Sequence, residues 1–267
     1  MEFRDLRGLT ASLGIASVVP YDITGALPGT HLGIPSPNLT VVIDLRDGLD
    51  LSGPGLPGVT RFQVCLGGLH STPYLIHHDG NQVGVQIGLT PAGVRRLFGL
   101  PVAELTDRAI DLDELNPALA DEIAGRIAGA APDDRARIGA ATMLGWTDDL
   151  DTAAKRWAPQ PDAAAAWDYI VATGGRCAVS ELTARSGWSA RYLTARFVAE
   201  YGIGPKQAAR LIRFDRAMLA LRRGVAIDEV AACSGYADQA HLTREFSDFA
   251  SMPPARYLAL EEFASAG

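Results

Sequence analysis

The apolar positions of this chain change their period along its length. Between residues 12 and 90 they fall in short Val- and Ile-rich runs broken by Gly and Pro: "IASVVPYDI", "NLTVVIDL", "VTRFQVCLGG", "PYLIHH" and "QVGVQIGL". Runs of this length and composition predict the strands of an antiparallel sandwich or barrel. From about 90 to 157 the spacing becomes helical. "TPAGVRRLFG" opens on a Thr cap followed by Pro, and two longer helices are predicted near 113–129 and 133–157. In "RWAPQPDAAAAW", Pro159 and Pro161 stop the preceding helix, and Asp162 is placed to cap a new one in the alanines. The boundary therefore falls at 158/159, and only helices are predicted beyond it.

That helical part repeats itself. Glu181, Leu182, Ala184, Ser186, Gly187 and Trp188 match Glu229, Val230, Ala232, Ser234, Gly235 and Tyr236. Past the glycine the register shifts by one residue, so that Leu193, Thr194 and Phe197 match Leu242, Thr243 and Phe246, and Pro205 matches Pro254. Each unit reads as a short helix, a glycine turn and a second helix anchored by a Leu and a Phe four positions apart, on one helical face. This is the helix-turn-helix pattern: Gly permits the sharp turn, and Ala in the first helix is expected to let the second cross closely. Between the units, "GPKQAARLIRFDRAMLALRRG" reads as one helix from Pro205 to about Arg222. About 18 residues at about 1.5 Å each span about 27 Å. Such a connector suits two recognition helices about 34 Å apart, one turn of duplex.

Composition narrows the picture little, and charge more. Residues 1–159 hold 12 Lys and Arg against 19 Asp and Glu, a net of −7, while 160–267 hold 12 against 12. Within the second part, 176–223 carries ten basic and three acidic residues, a local +7 that suits a polyanion. No apolar run approaches the roughly 20 residues that span a bilayer, and "MEFRDLRGLTASLG" lacks the layout of a signal peptide. Three widely spaced cysteines, Cys65, Cys177 and Cys233, argue against a disulfide framework and for a reducing cytoplasm.

Residues 163–262 resemble the DNA-binding domain of the AraC/XylS family of bacterial transcription regulators. The linker "AARLIRFDRAMLAL" and the second unit "IDEVAACSGYADQAHLTREFSDFASMPPARYL" carry the resemblance most specifically. The N-terminal half is similar, more weakly, to the β-rich regulatory domains that precede such modules. Its "PSPNLTVVIDL" and "TPAGVRRLFGLPVAELTDRAIDLDEL" resemble an actinobacterial-type subgroup. The implied class is α+β: a β-rich, cupin-like domain over 1–158 (strands at about 12–90, helices at about 90–157), then an all-α domain over 159–267. One departure stands out. The first recognition helix ends in "EYGIGP", whereas the second ends in "DFASMPP" without the usual glycine, leaving Ala250 or Ser251 to make the turn.

On a helix anchored by Leu193 and Phe197, Arg191 and Thr194 face outward, with Ser189 and Tyr192 near the N-terminal end. In the second unit Gln239, Thr243 and Arg244 face outward with His241 beside them, positions that face DNA in members of the family. Gln suits adenine and Arg suits guanine, each bidentate and worth about 1–3 kcal/mol of discrimination. The first-unit slot equivalent to Arg244 is Ala195, so that helix reads through Arg191 or through methyl contacts. Arg196 and Arg213 are candidate phosphate contacts, as are the helix N-termini near Ser180 and Ile227. Arg213 has a competing assignment, an ion pair with Asp215 or a neighbouring carboxylate.

Other motifs carry less. "GPGLPG" at 53–58 fits a dinucleotide pattern by letter, but Pro57 removes an amide and a strand follows, so it reads as a turn. His77 and His78 in "HHD" point to opposite faces of a strand and do not share an ion, even with His70 nearby. "DLDEL" at 111–115 and "DDLD" at 148–151 read as caps or solvated carboxylates. No nucleophile motif, cofactor motif or metal set emerges.

The resulting expectation is a cytoplasmic, sequence-specific regulator that is not an enzyme. Its partner is double-stranded operator or promoter DNA, and RNA polymerase as well if it activates. A small-molecule effector is assigned to the strands of 31–90, and a homodimer surface to the helices of 113–157. Two other readings stay open: a redox switch through Cys65, Cys177 or Cys233, and a cupin-like enzyme domain fused to a DNA reader.

Overall fold

A computed structural model describes residues 14–149 and 161–265 of the chain, with side chains over 14–146 and 162–260. The chain forms two compact units, one drawn from the stretch before residue 160 and the other chiefly from the stretch after it.

The first unit is built on two antiparallel sheets. Its strands are β1 (Ile15–Ile23), β2 (Gly29–Gly33), β3 (Leu39–Asp44), β4 (Leu49–Ser52), β5 (Thr60–Phe62), β6 (Val64–Gly67), β7 (Tyr74–His78), β8 (Gln82–Leu89) and β9 (Ala109–Asp111). One sheet has the order β1-β8-β3-β6-β9 and the other β2-β7-β4-β5. The run "VTRFQVCLGG", which reads as one strand, is two, and they lie in different sheets. Asp111 holds the corner between them by accepting from the Gln63 N–H at 2.8 Å and the Val64 N–H at 3.3 Å. Strands β2, β4 and β9 escape the hydrophobic pattern, because "GTHLG", "LDLS" and "AID" are too short or too polar to show a period.

Strand β3 shows the half-buried alternation directly: Leu39, Val41 and Ile43 are fully buried, and the residues between them less so. Each such side chain contributes on the order of 1.5–3 kcal/mol of burial. Helices α1 (Pro91–Phe98), α2 (Pro117–Ala128) and α3 (Arg135–Asp149) follow. The Thr-Pro opening of α1 behaves as the sequence predicts: Thr90 Oγ1 accepts from the Gly93 N–H, and Gly99 closes the helix at φ 68°. Helix α3 packs on β1 and β8, and a Cβ at Gly139 would lie 3.4 Å from Ile87 and 3.7 Å from Val85. "GPGLPG" is indeed a turn, closed by Leu56 N–H donating to the Gly53 carbonyl. In "DLDEL", Glu114 accepts from the Asp111 N–H and caps a short 3-10 turn. Of "DDLD", residues 148 and 149 close α3, and the remainder lies outside the described residues. So does the stretch 150–160, which includes Pro159 and the end of the predicted 133–157 helix.

The second unit is helical: α4 (Pro161–Ala172), α5 (Val179–Ser186), α6 (Ala190–Tyr201), α7 (Pro205–Arg222), α8 (Ile227–Ser234), α9 (Gln239–Ala250) and α10 (Pro254–Ser265). One local reading is corrected. Pro161 opens α4 rather than stopping a helix, and Asp162 lies inside its first turn rather than at the cap. Proline at the first helical position gives up an N–H that has no intrahelical partner anyway.

Candidate nucleic-acid interface

Each repeat folds as two helices around a left-handed glycine. In the first unit Gly187 ends α5 at φ 71°, and in the second Gly235 ends α8 at φ 80°. Ser189 then caps α6 by accepting from the Tyr192 N–H at 3.3 Å, and Asp238 caps α9 by accepting from the His241 N–H at 2.6 Å. The first turn spans Gly187 to Ser189 and the second Gly235 to Asp238, one residue longer. That extra residue is the physical origin of the register shift between the repeats.

The anchors sit where the spacing puts them. Leu193, Phe197, Leu242 and Phe246 are at most 1% exposed. Phe197 packs against Trp167 of α4 and Tyr201, with ring centroids 6.0 and 4.6 Å away. Phe246 packs against Phe214 of α7 at 5.1 Å and Tyr257 of α10 at 5.7 Å. Each recognition helix is thus held by an aromatic cluster that includes a residue from outside its own helical pair. The role expected of the alanines is corrected: Ala184 and Ala232 are exposed, and Leu182, Val230 and Ala231 fill the crossing instead.

The outward faces differ between the units. On α6, Arg191 and Tyr192 are exposed and Thr194 is half-buried. Trp188 meets Tyr192 edge-on at 4.5 Å, and the Arg196 guanidinium lies 5.6 Å from the Tyr192 ring. Arg196 is thereby laid along its own helix. On α9, Gln239 and Arg244 are exposed, while His241 and Thr243 are half-buried. His241 Nδ1 accepts from the Ala237 N–H at 3.3 Å, and its ring stands edge-on to Tyr236 at 5.3 Å, so part of its work is closing the turn. Ser189 has a capping role of the same kind.

Arg213 points inward, and of its two assignments the structure gives it the ion pair. The carboxylate is Glu245 rather than Asp215. Arg213 donates to both Glu245 oxygens, with Nη2 at 2.7 and 2.8 Å, and to the Gly175 carbonyl at 3.3 Å. Burial pushes the phenol of neighbouring Tyr236 above its ordinary range, and the Glu245 charge adds to the shift. Arg210 also pairs with Glu245 at 2.9 Å and with Asp248 at 2.6 Å.

A groove of about 890 Å³ runs between the start of α5, helix α7 and α9, and Lys206, His241, Thr243 and Arg244 line it. Lys206 is exposed there, and its only sequence signal is membership of the basic segment 176–223. At the start of α5 the Glu181 carboxylate takes the Ala178 N–H at 2.9 Å.

The tandem arrangement decides the assignment. Residues 182–259 match the family profile described as a helix-turn-helix domain. These residues therefore form a helix-turn-helix domain. No curated protein sequence matches this chain. Among solved structures, ToxT from Vibrio cholerae O395 superposes with a TM-score of 0.55 at 12% identity, covering 91% of this chain and 98% of ToxT. ToxT bound to (E)-4-(8-methylnaphthalen-1-yl)but-3-enoic acid gives a TM-score of 0.56 at 12% identity, with coverage of 91% and 99%. Unsaturated fatty acid-bound ToxT from strain SCE256 gives 0.56 at 11% identity, with coverage of 92% and 96%. At this identity the likeness establishes a shared fold: a β-rich N-terminal part followed by a helical part with the helix-turn-helix domain.

The remaining candidate chemistry is modest. His77 meets Ser52 Oγ at 2.8 Å, while His78 faces His31 with ring centroids 5.4 Å apart. Burial pulls the His31 imidazole down to about 4, with His78 adding to the effect. His70 Nδ1 lies 2.8 Å from the Thr72 carbonyl. Cys65 is buried, Cys177 half-buried and Cys233 exposed, and all three are free thiols. Among the described residues no helix is long and apolar enough to cross a membrane.

Proposed function

We propose that the protein is a cytoplasmic, sequence-specific transcription regulator that reads duplex DNA with α6 and α9. The observation that carries this reading is the pairing of two buried Leu–Phe anchors with exposed Arg191 on one helix and exposed Gln239 and Arg244 on the other. Anchors on one face fix the opposite face in space, where Arg191 and Arg244 lie, and Gln239 is presented at the first position of α9. Arg244 and Gln239 specify bases in one half-site, and Arg191 in the other. Tyr192, Thr194, His241 and Thr243 border these contacts, and Lys206 and Arg196 add charge for the phosphates. Ser189 and His241 act mainly by shaping their helix starts.

The first unit, up to residue 158, is assigned to sensing and dimerisation. ToxT has been solved with a naphthyl butenoic acid and with an unsaturated fatty acid bound, both apolar carboxylic acids. An effector of that kind is the first class to try here, and it must favour one conformational or oligomeric state to act as a switch. A protein that activates also contacts RNA polymerase.

Fluorescence anisotropy on duplex fragments from the protein's own promoter tests the DNA reading. Tight binding should weaken steeply with salt, and Arg244→Ala should lower affinity for the best site about 5- to 150-fold, from about 1–3 kcal/mol per bidentate contact. Equal affinity of wild type and variant for every fragment would contradict it. Light scattering at tens of micromolar tests the dimer, which a monomer mass would exclude.

A further inference from the structure

We propose that Arg213 and Glu245 are positioning residues that fix the angle between the two recognition helices, and thereby the half-site spacing the protein accepts. The inference rests on the reading of this domain as a reader of two half-sites.

One guanidinium touches three parts of the domain. From the linker helix α7, Arg213 holds both carboxylate oxygens of Glu245, which lies on the second recognition helix α9. Its remaining nitrogen reaches the Gly175 carbonyl in the loop that leads into the first helix-turn-helix unit. Its charged face lies 5.0 Å from the ring of Tyr236, in the turn of the second unit. The side chains of Arg213 and Glu245 are only 15% and 5% exposed.

A second set of contacts points the same way. Gly175 has φ 74°, and a Cβ there would fall 2.1 Å from the Ala209 carbonyl oxygen of α7. Arg176 lies against Gly235, where a Cβ would fall 2.7 Å from its Cγ. The loop at 174–176 is thus seated on the linker helix and on the turn of the second unit at once.

The repeat itself does not call for this arrangement. At the 49-residue offset, Glu245 corresponds to Arg196, a reversal of charge. A carboxylate in the hydrophobic seam of a recognition helix is costly unless its partners are placed for it. What such a pair supplies is geometry, because a planar guanidinium fork accepts a carboxylate in few orientations. Helix α7 alone fixes a distance between the units. The Arg213 bridge adds the rotation about it.

The test uses the full chain and its selected site, with zero, one or two base pairs inserted between the half-sites. Each inserted pair turns one half-site by about 36° relative to the other, from about 10 pairs per turn. For wild type, one inserted pair should lower affinity at least about tenfold. Arg213→Lys keeps the charge and loses the fork, so the ratio of affinities for native and expanded sites should shrink at least about fivefold. Glu245→Gln should shrink it similarly and decides the matter if the lysine variant fails to fold. An unchanged ratio in a folded variant, even with weaker binding overall, would overturn the proposal and leave these residues merely structural. Independently, spin labels at Ala195→Cys and Ala240→Cys, with Cys177→Ser and Cys233→Ser, should give one narrow distance without DNA. A broad distribution in that protein overturns the proposal as well. Absence of any two-half-site motif would instead strike at the proposed function.

Discussion

Ser251 holds in the second unit the left-handed backbone that Gly202 holds in the first, with φ of 57° and 72°. The two positions are related by the 49-residue offset of the repeat. A non-glycine residue there costs about 1–2 kcal/mol, against up to about 1 kcal/mol of extra chain entropy that glycine loses on folding. Ser251→Gly should therefore stabilise the helical unit by up to about 1 kcal/mol, or a few degrees of melting temperature. Thermal unfolding followed by circular dichroism checks it, and a lower midpoint would contradict it.

Asp215, on the linker helix, is pushed up to about 6 by burial, with the Arg222 charge opposing the shift. Its folded-state value lies above the ordinary carboxylate range, so folding favours the neutral form. The contribution of this group is therefore most favourable at low pH and is lost as pH rises from about 4 to about 6. Asp215→Asn, which resembles the neutral form, should raise stability at pH 7.5 by about 1–2 kcal/mol, a figure discounted for partial exposure. The advantage should fade toward pH 4. A pH-independent difference between the two proteins would contradict this account.

Burial, then the Asp111 charge, pushes the Cys65 thiol up to about 12, whereas Cys233 is exposed. A thiol reagent at neutral pH should modify Cys233 first and leave Cys65 unmodified until the first unit unfolds. Mass spectrometry of the labelled peptides reads the order directly. Rapid labelling of Cys65 in the folded protein would contradict the placement, and it would return a redox role to consideration.

Legibility followed the physical strength of each signal. Strands β1 and β8 have the bounds their sequence predicts, because Val- and Ile-rich runs bounded by glycine favour strand over helix. Helix α7 has its predicted bounds as well, since proline opens it and Arg222 ends the apolar stripe. Strands β4 and β9 are not legible in the sequence, because four and three residues carry no period. The crossover at Gln63 is not legible either, because it depends on Asp111, 48 residues away. At the interface, the exposure of Arg191 and Arg244 follows from helical phase, whereas Gln239 shares the phase of Leu242 and Phe246 and is exposed because it opens its helix. The partner of Arg213 is not legible, because Glu245 lies 32 residues on and the nearer Asp215 is the obvious candidate by sequence. Local chemistry is readable in a sequence. A buried ion pair between distant helices is a property of the fold.

Arg191 and Arg244 occupy different recognition helices, so their loss should relax different half-sites. Selecting duplexes from a random pool with Arg191→Ala should degrade one half of the consensus and leave intact the half that Arg244 reads. Loss of the same half in both variants would contradict the assignment of one helix to each half-site.

The most direct measurement is sequencing of genomic DNA captured by the purified wild-type protein, repeated with Arg244→Ala. The account predicts one shared motif with two half-sites about 10–10.5 base pairs apart, centre to centre. It also predicts that Arg244→Ala relaxes only one of them. Captured fragments with no common motif, or a motif unchanged by the substitution, would contradict the claim that α6 and α9 read sequence in tandem.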